Sequence, residues 1–203
     1  MNYKYILFTS TFLILVFCLC GAVSAGGGSV YASFTATPTS GTYPLQVQFT
    51  STSFTMGGSV ITGYDWDFDG DGVVDSTEEN PKHSYTQAGV YSPRLTVHDN
   101  IFDHDTYTML NHITVNHPVP KASFTATPTS GRGPLQVQFK STSTGPINRY
   151  EWDFNGDGKI DSTLKSPSYT YSKAGTYTVK LTVKGPGGTN TQTRTKYITV
   201  KLP

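Results

Sequence analysis

Cysteine is almost missing from this chain. Two occur in 203 residues, Cys18 and Cys20, and both sit in an apolar stretch near the N-terminus. That stretch, Ile6 to Cys20, is broken only by Thr9, Ser10 and Thr11, follows a single Lys4, and precedes the small residues Val23-Ser24-Ala25. The three-part build predicts a secretory signal peptide over residues 1–25, cleaved after Ala25. The run is shorter than the roughly 20 residues that span a bilayer, so no stable membrane span is expected after cleavage. Processing would remove both thiols, which excludes disulfides as a means of holding the exported protein together. A second long apolar run is absent, and so is any N-x-Ser/Thr acceptor for glycosylation. Charge of one sign is absent too. Without Lys4 the chain carries 14 basic and 14 acidic side chains, a formal zero that argues against nucleic acid as a partner. No ten-residue window has a helical stripe, and no G-x-S-x-G or thiol nucleophile remains for catalysis.

What is present is a sentence written twice. Ala32 to Gly41 (ASFTATPTSG) recurs unchanged as Ala122 to Gly131, and Pro44 to Phe49 (PLQVQF) as Pro134 to Phe139. Tyr64-Asp65-Trp66-Asp67-Phe68-Asp69-Gly70-Asp71-Gly72 returns as Tyr150-Glu151-Trp152-Asp153-Phe154-Asn155-Gly156-Asp157-Gly158. A unit of about 85 to 90 residues exceeds a solenoid repeat and suffices for a domain with its own core. The expected organisation is a flexible leader at 26–29, domain 1 at 30–115, a proline-containing linker at 116–120 and domain 2 at 121–201. Two prolines in Asn116-His117-Pro118-Val119-Pro120 favour an extended, stiff connection.

Within each repeat the hydrophobic period is two. Leu45, Val47 and Phe49 alternate with glutamines, and Tyr177, Val179, Leu181 and Val183 alternate with Thr and Lys. Such alternation marks half-buried strands. Turn residues recur between them, which predicts an all-β chain of two antiparallel sandwiches. Pro93 stands where the second repeat has Val179 and is expected to mark a strand edge or bulge.

These residues resemble a known family. Tyr150-Glu151-Trp152-Asp153-Phe154, Pro167, Tyr169-Thr170-Tyr171 and Ala174 to Val183 are similar to the polycystic kidney disease (PKD) domain. The first repeat follows the same order with Trp66-Asp67-Phe68, Pro81, His83-Ser84-Tyr85, Ala88 to Tyr91 and Leu95-Thr96-Val97. The resemblance implies two immunoglobulin-like sandwiches of about seven strands each. It also implies a non-catalytic extracellular spacer or interaction module of the kind found in archaeal and bacterial surface proteins. One departure stands out: the family's W-D-F-G-D-G is lengthened here to W-D-F-D-G-D-G and W-D-F-N-G-D-G.

That lengthened segment fits a twelve-position calcium loop. In domain 1 the ligand positions fall on Asp67, Asp69, Asp71, the carbonyl of Val73, Asp75 and Glu78, with Gly72 at the sharp turn. In domain 2 they fall on Asp153, Asn155, Asp157, the carbonyl of Lys159 and Asp161, with Leu164 at position twelve. Alternate spacing lets carboxylates converge as the chain wraps an ion. Five carboxylates in twelve residues repel, each close pair by about 1 kcal/mol in water, and a divalent cation relieves this. Hard oxygen donors select calcium over zinc. The plain alternative is an Asp/Gly-rich turn serving backbone geometry alone. Glu78 is the weakest of the set, because Pro81 and strand-like flanks replace the helix that normally presents position twelve.

The remaining candidates are thinner. All five histidines (His83, His98, His104, His112, His117) lie in the first repeat and linker, and none has metal-motif spacing. His98-Asp99 and Asp103-His104-Asp105 read as a solvated hairpin. Trp66 and Trp152 read as core, while Phe54 and Phe102, where the repeats differ, are the better candidates for exposed contacts. The expected function is an exported, secreted or cell-surface spacer or adhesion protein, stiffened by calcium, with an extracellular protein or polysaccharide as partner. The competing expectation is a polysaccharide-binding accessory protein for secreted hydrolases.

Overall fold

The computed structural model describes residues 29–202; the expected signal peptide and the start of the leader lie outside these residues. Every element is a strand. Domain 1 contains β1 (Ser29–Tyr31), β2 (Phe34–Thr37), β3 (Ser40–Thr42), β4 (Leu45–Ser51), β5 (Phe54–Met56), β6 (Ile61–Asp67), β7 (Lys82–Tyr85), β8 (Gly89–Tyr91), β9 (Arg94–Asp99), β10 (His104–Thr108) and β11 (Ile113–Asn116). Domain 2 contains β12 (Phe124–Thr127), β13 (Ser130–Arg132), β14 (Leu135–Ser141), β15 (Arg149–Asp153), β16 (Ser168–Tyr171), β17 (Gly175–Gly185) and β18 (Gly188–Lys201). The expected seven strands hold for domain 2. Domain 1 is cut into shorter pieces.

The cut has a sequence cause. Where β17 runs unbroken through Tyr177 and Val179, the first repeat has Ser92-Pro93, and the strand splits into β8 and β9. Proline lacks the N–H that the ladder needs. Domain 2 meets the same place with a milder irregularity, a register shift between Tyr177 and Val179. Two further departures from the sequence reading concern pairing. Ser29, expected in the flexible leader, already pairs with Met56 in β1. Each sandwich also holds one parallel pair, β3 with β11 and β13 with β18.

Each domain faces a three-stranded sheet (β2-β4-β7 or β12-β14-β16) against a second layer. That layer is the four-stranded β13-β18-β17-β15 in domain 2 and its divided counterparts β3-β11-β8 and β10-β9-β6 in domain 1. The inward residues are those of the period-two pattern. Leu45, Val47 and Phe49 are buried from β4, Leu95 and Val97 from β9, and their counterparts from β14 and β17. Around them pack Phe34, Trp66, Phe68 and Tyr85 in domain 1, and Phe124, Trp152, Phe154 and Tyr171 in domain 2. A large apolar side chain buried in this way contributes about 1.5–3 kcal/mol. The two cores share no residue.

The linker is held on both sides. Tyr43 N donates to Asn116 O (3.1 Å), and the Tyr43 ring meets His117 edge-on at 5.5 Å. Beyond it, a Cβ added to Gly187 would run into the Pro118 carbonyl, so glycine is required at the β17–β18 tip for this approach.

Candidate acidic-loop site

The acidic loops leave the ends of β6 and β15, and the aromatic core fixes where they start. Trp66 and Trp152 are fully buried, as expected. Trp66 Nε1 donates to the Glu78 carbonyl at 2.7 Å, and Trp152 Nε1 to the Leu164 carbonyl at 2.8 Å. Trp66 also bridges Ser76, and Trp152 bridges Ser162, through backbone pairing. The far side of each loop is therefore stitched back onto the strand it came from.

Asp67 organises the loop of domain 1. Its side chain is 5% exposed. Oδ1 accepts from Gly70 N at 2.7 Å, and Oδ2 from Gly72 N at 3.0 Å and from Arg94 Nη2 at 2.9 Å. Gly70 and Gly72 have φ of 82° and 89°, a conformation that glycine adopts without steric cost. Asp69 Oδ1 accepts from Asp71 N, and Asp71 Oδ1 from Val73 N. The result brings oxygens of Asp67, Asp69 and Asp71 within 4.8 Å of one another.

The other two carboxylates stand outside that cluster. Asp75 Oδ2 accepts from Phe68 N at 2.7 Å and closes the loop at its neck. Glu78 takes part through its backbone carbonyl, held by Trp66, and its carboxylate is not among the three that converge. Val73 is exposed and donates its N–H to Asp71.

Domain 2 reproduces this frame. Asp153 accepts from Gly156 N and Gly158 N, Asn155 Oδ1 from Asp157 N, Asp157 Oδ1 from Lys159 N, and Asp161 Oδ2 from Phe154 N. Asn155 leaves Asp153 and Asp157 as the carboxylates at the ligand positions that converge in domain 1. The donor set of domain 1 suits a hard cation. Asp69 and Asp71 each spend one oxygen on the backbone and keep the other, and Asp67 retains lone-pair capacity after three donors.

Arg94 is a neighbour of this loop that the sequence did not reveal. It reaches Asp67 because β6 and β9 pair with Asp67 opposite Arg94. The same register in domain 2 puts Lys180 opposite Asp153. One acid is thus already partly neutralised in domain 1. Only the strand register, which spacing along the chain does not disclose, could have located that contact.

The histidines form no metal cluster among the described residues. His98 Nε2 lies 2.8 Å from Asp65 Oδ2, while the neighbouring carboxylates serve backbone N–H groups. Asp99 Oδ1 accepts from Ile101 and Asp103, Asp103 from His104, and Asp105 from Ala32. Burial works against the Asp99 charge, but these donors outweigh it and hold its pKa below the ordinary value. His83 lies between Phe68 and Tyr85, with ring centroids at 4.5 and 4.6 Å. Burial pushes its pKa below the ordinary value, against the pull of Asp75 and Asp69.

His83 gives a pH prediction. Because the folded state resists its protonation, the unfolded chain binds the extra proton once pH falls through about 6.5. Domain 1 is therefore expected to lose stability on acidification below that pH. His83→Tyr, which copies Tyr169 of domain 2, should flatten the slope in denaturant titrations at pH 5.5 to 7.5. An unchanged slope would remove His83 as the cause.

Phe54 stacks on Tyr31 at 5.0 Å, joining β1 to β5, whereas Phe102 is 99% exposed. Of the two expected contact residues, Phe102 alone presents its ring fully to solvent.

Parts of this chain are similar to known proteins. Over 78 residues the chain is 42% identical to collagenase ColA of Bacillus cereus, covering 36% of this chain and 8% of that protein. Over 129 residues it is 36% identical to the pre-pro-metalloprotease PrtV of Vibrio cholerae, covering 62% of this chain and 14% of that protein. The chain thus spans a small part of the curated relatives it matches. Among solved structures, the N-terminal four Ig domains of Dscam1 isoform 9.44 align at 12% identity and a TM-score of 0.44, covering 88% of this chain and 47% of that one. The PKD domain family matches residues 32–115 and again 115–200. With nearly all of its described residues inside those two matches, the chain belongs to the PKD domain family, as two tandem copies.

Proposed function

We propose that the protein is an exported, non-catalytic spacer or adhesion module whose acidic loops take up calcium and stiffen each sandwich. The observation that carries this reading is the convergence of Asp67, Asp69 and Asp71 on a loop stitched to the core strand by Trp66. An ion there fixes the turn that leaves β6, and the contacts of Asp75 with Phe68 N and of Trp66 with the Glu78 carbonyl pass that rigidity to the segment that leads into β7. The matched relatives, a collagenase and a metalloprotease, contain the shared region as a minor part of their length, which suits an accessory role outside the cell. Asp69, Asp71 and Asp75 act through backbone contacts within the loop, so nothing in it resembles an acid–base pair.

The competing reading, a polysaccharide-binding accessory protein, needs an exposed aromatic platform. Both tryptophans are spent on the core. Pull-down of residues 26–203 on insoluble cellulose, chitin and cell-wall material is expected to show no retention on the purified polysaccharides. Retention on one of them, lost in Phe102→Asn, would replace the spacer reading.

A further inference from the structure

The formal zero of the whole chain conceals a division. Residues 30–115 hold ten acidic and two basic side chains, a formal −8, whereas residues 121–201 hold four acidic and twelve basic, a formal +8. Two domains of the same fold, with identical segments in their strands, have thus diverged to opposite charge. Opposite fields on two bodies attract, speed encounter and select orientation.

The ends of the domains carry complementary detail. In domain 1 the β5–β6 turn and the β9–β10 tip lie side by side, joined by Val60 N to Asn100 Oδ1 (2.8 Å) and Asn100 N to Val60 O (3.0 Å). This end exposes Met56, Val60, Ile101 and Phe102 beside Asp103. Phe102 sits at φ 68°, a left-handed conformation that bulky L-residues rarely adopt, so the backbone holds its ring outward at a cost. The same tip in domain 2 is Gly185-Pro186-Gly187-Gly188, and its glycines accommodate the linker.

The opposite end of domain 2 is basic. Arg132 pairs in register with Lys201, and Gly133 N donates to Lys201 O at 3.0 Å. A Cβ on Gly133 would lie 3.6 Å from the Ser172 carbonyl, which places Lys173 at this end as well. Arg132, Lys173, Lys201 and the neighbouring Leu202 are all exposed. Domain 1 has Thr42, Gln87 and Asn116 at the matching positions, so the three cations are peculiar to this end. Gly133 also stands where domain 1 has Tyr43, so the aromatic ring that meets His117 there has no counterpart here.

We infer that a second copy of this chain docks here head to tail. The Phe102-bearing end of domain 1, with Asp103 beside the ring, meets the basic end of domain 2 formed by Arg132, Lys173 and Lys201. The Phe102 ring packs against Leu202, at the place where domain 1 has its Tyr43–His117 contact. Such a contact joins unlike surfaces, so it propagates beyond a dimer unless a ring closes. It does not depend on calcium.

Sedimentation velocity of residues 26–203 with a chelator present separates this from the ion-binding reading. At 20 mM NaCl the mass is expected to rise with concentration through dimer to larger species. At 500 mM NaCl, where screening acts within about 4 Å, it should return to that of one chain. Phe102→Asn removes the ring at a φ that asparagine tolerates, so it should weaken association about tenfold while the domain melts no earlier. Arg132→Glu with Lys173→Glu and Lys201→Glu should abolish association, and adding Asp103→Lys to that chain should restore part of it. A monomer at low salt overturns the inference, as does association indifferent to both variants. If the protein stays monomeric and the triple variant loses binding to alginate, the basic end serves an anionic polysaccharide and the pairing is wrong.

Discussion

Trp152→Ala is expected to unfold domain 2 and leave domain 1 standing. The indole is fully buried and meets Phe124, Phe139 and Phe154 at ring-centroid distances of 5.2, 5.5 and 5.7 Å. Removing it costs about 3–5 kcal/mol from the cavity and lost contacts. The Leu164 carbonyl also loses its donor, worth about 1 kcal/mol more. Against a stability of about 5–15 kcal/mol for a domain, that is a large share. The domain has no disulfide to fall back on. Because the cores share no residue, the loss should stop at the linker. Trp66 is then the remaining tryptophan, so its emission reports on domain 1 alone. A calorimetric trace that loses one transition while Trp66 stays buried is the expected result. Concerted loss of both would mean that the repeats fold as one unit.

The reach of that prediction reflects what was legible in the sequence. Period-two alternation at Leu45, Val47 and Phe49, repeated at Leu135, Val137 and Phe139, placed the strands and their inward faces. Pro93 announced a disturbance, and its physical effect, the division of one long strand into two, follows from the missing N–H. Pairing across the fold was less legible. The β1–β5 pair forms between segments more than twenty residues apart, and Ser29 looked like leader because Gly26-Gly27-Gly28 precedes it.

The acidic loop divides in the same way. The convergence of Asp67, Asp69 and Asp71 follows from local spacing, because alternate residues in a glycine turn fall on one side. Glu78, the weakest of the expected set, has its carboxylate outside that group, and backbone pairing of Trp66 with Ser76 governs the path of the chain there. Asp75 matched by position, yet its visible task is to accept from Phe68 N and close the neck. Arg94 was invisible because it is 27 residues from Asp67 and becomes its neighbour only through strand register.

Calcium is expected to raise the melting temperature of the protein, more through domain 1 than domain 2. For an extracellular-type site binding at about 0.1–1 mM, 5 mM calcium stabilises the native state by about 1–2 kcal/mol. In a domain of this size that corresponds to roughly 4–15 °C. Domain 1 has three converging carboxylates, whereas domain 2 has two carboxylates at the matching positions, and the surrounding acidic charge of domain 1 favours a cation further. Asp71→Ala should abolish its response. Glu78→Ala should leave it nearly unchanged, because the Glu78 carboxylate lies apart from the cluster. Arg94→Gln should strengthen binding. A guanidinium beside the site opposes a second positive charge by about 1 kcal/mol even under full water screening, which is about fivefold in affinity. Magnesium should do less, since a small octahedral ion seldom sheds enough water to be caged by a loop whose carboxylates are already tied to backbone N–H groups. If titration calorimetry at 5 mM detects no heat of binding in either domain, and Arg94→Gln changes nothing, then Asp67, Asp69 and Asp71 converge only to bond their own backbone. The stiffening mechanism then falls, while the two sandwiches and their cores remain.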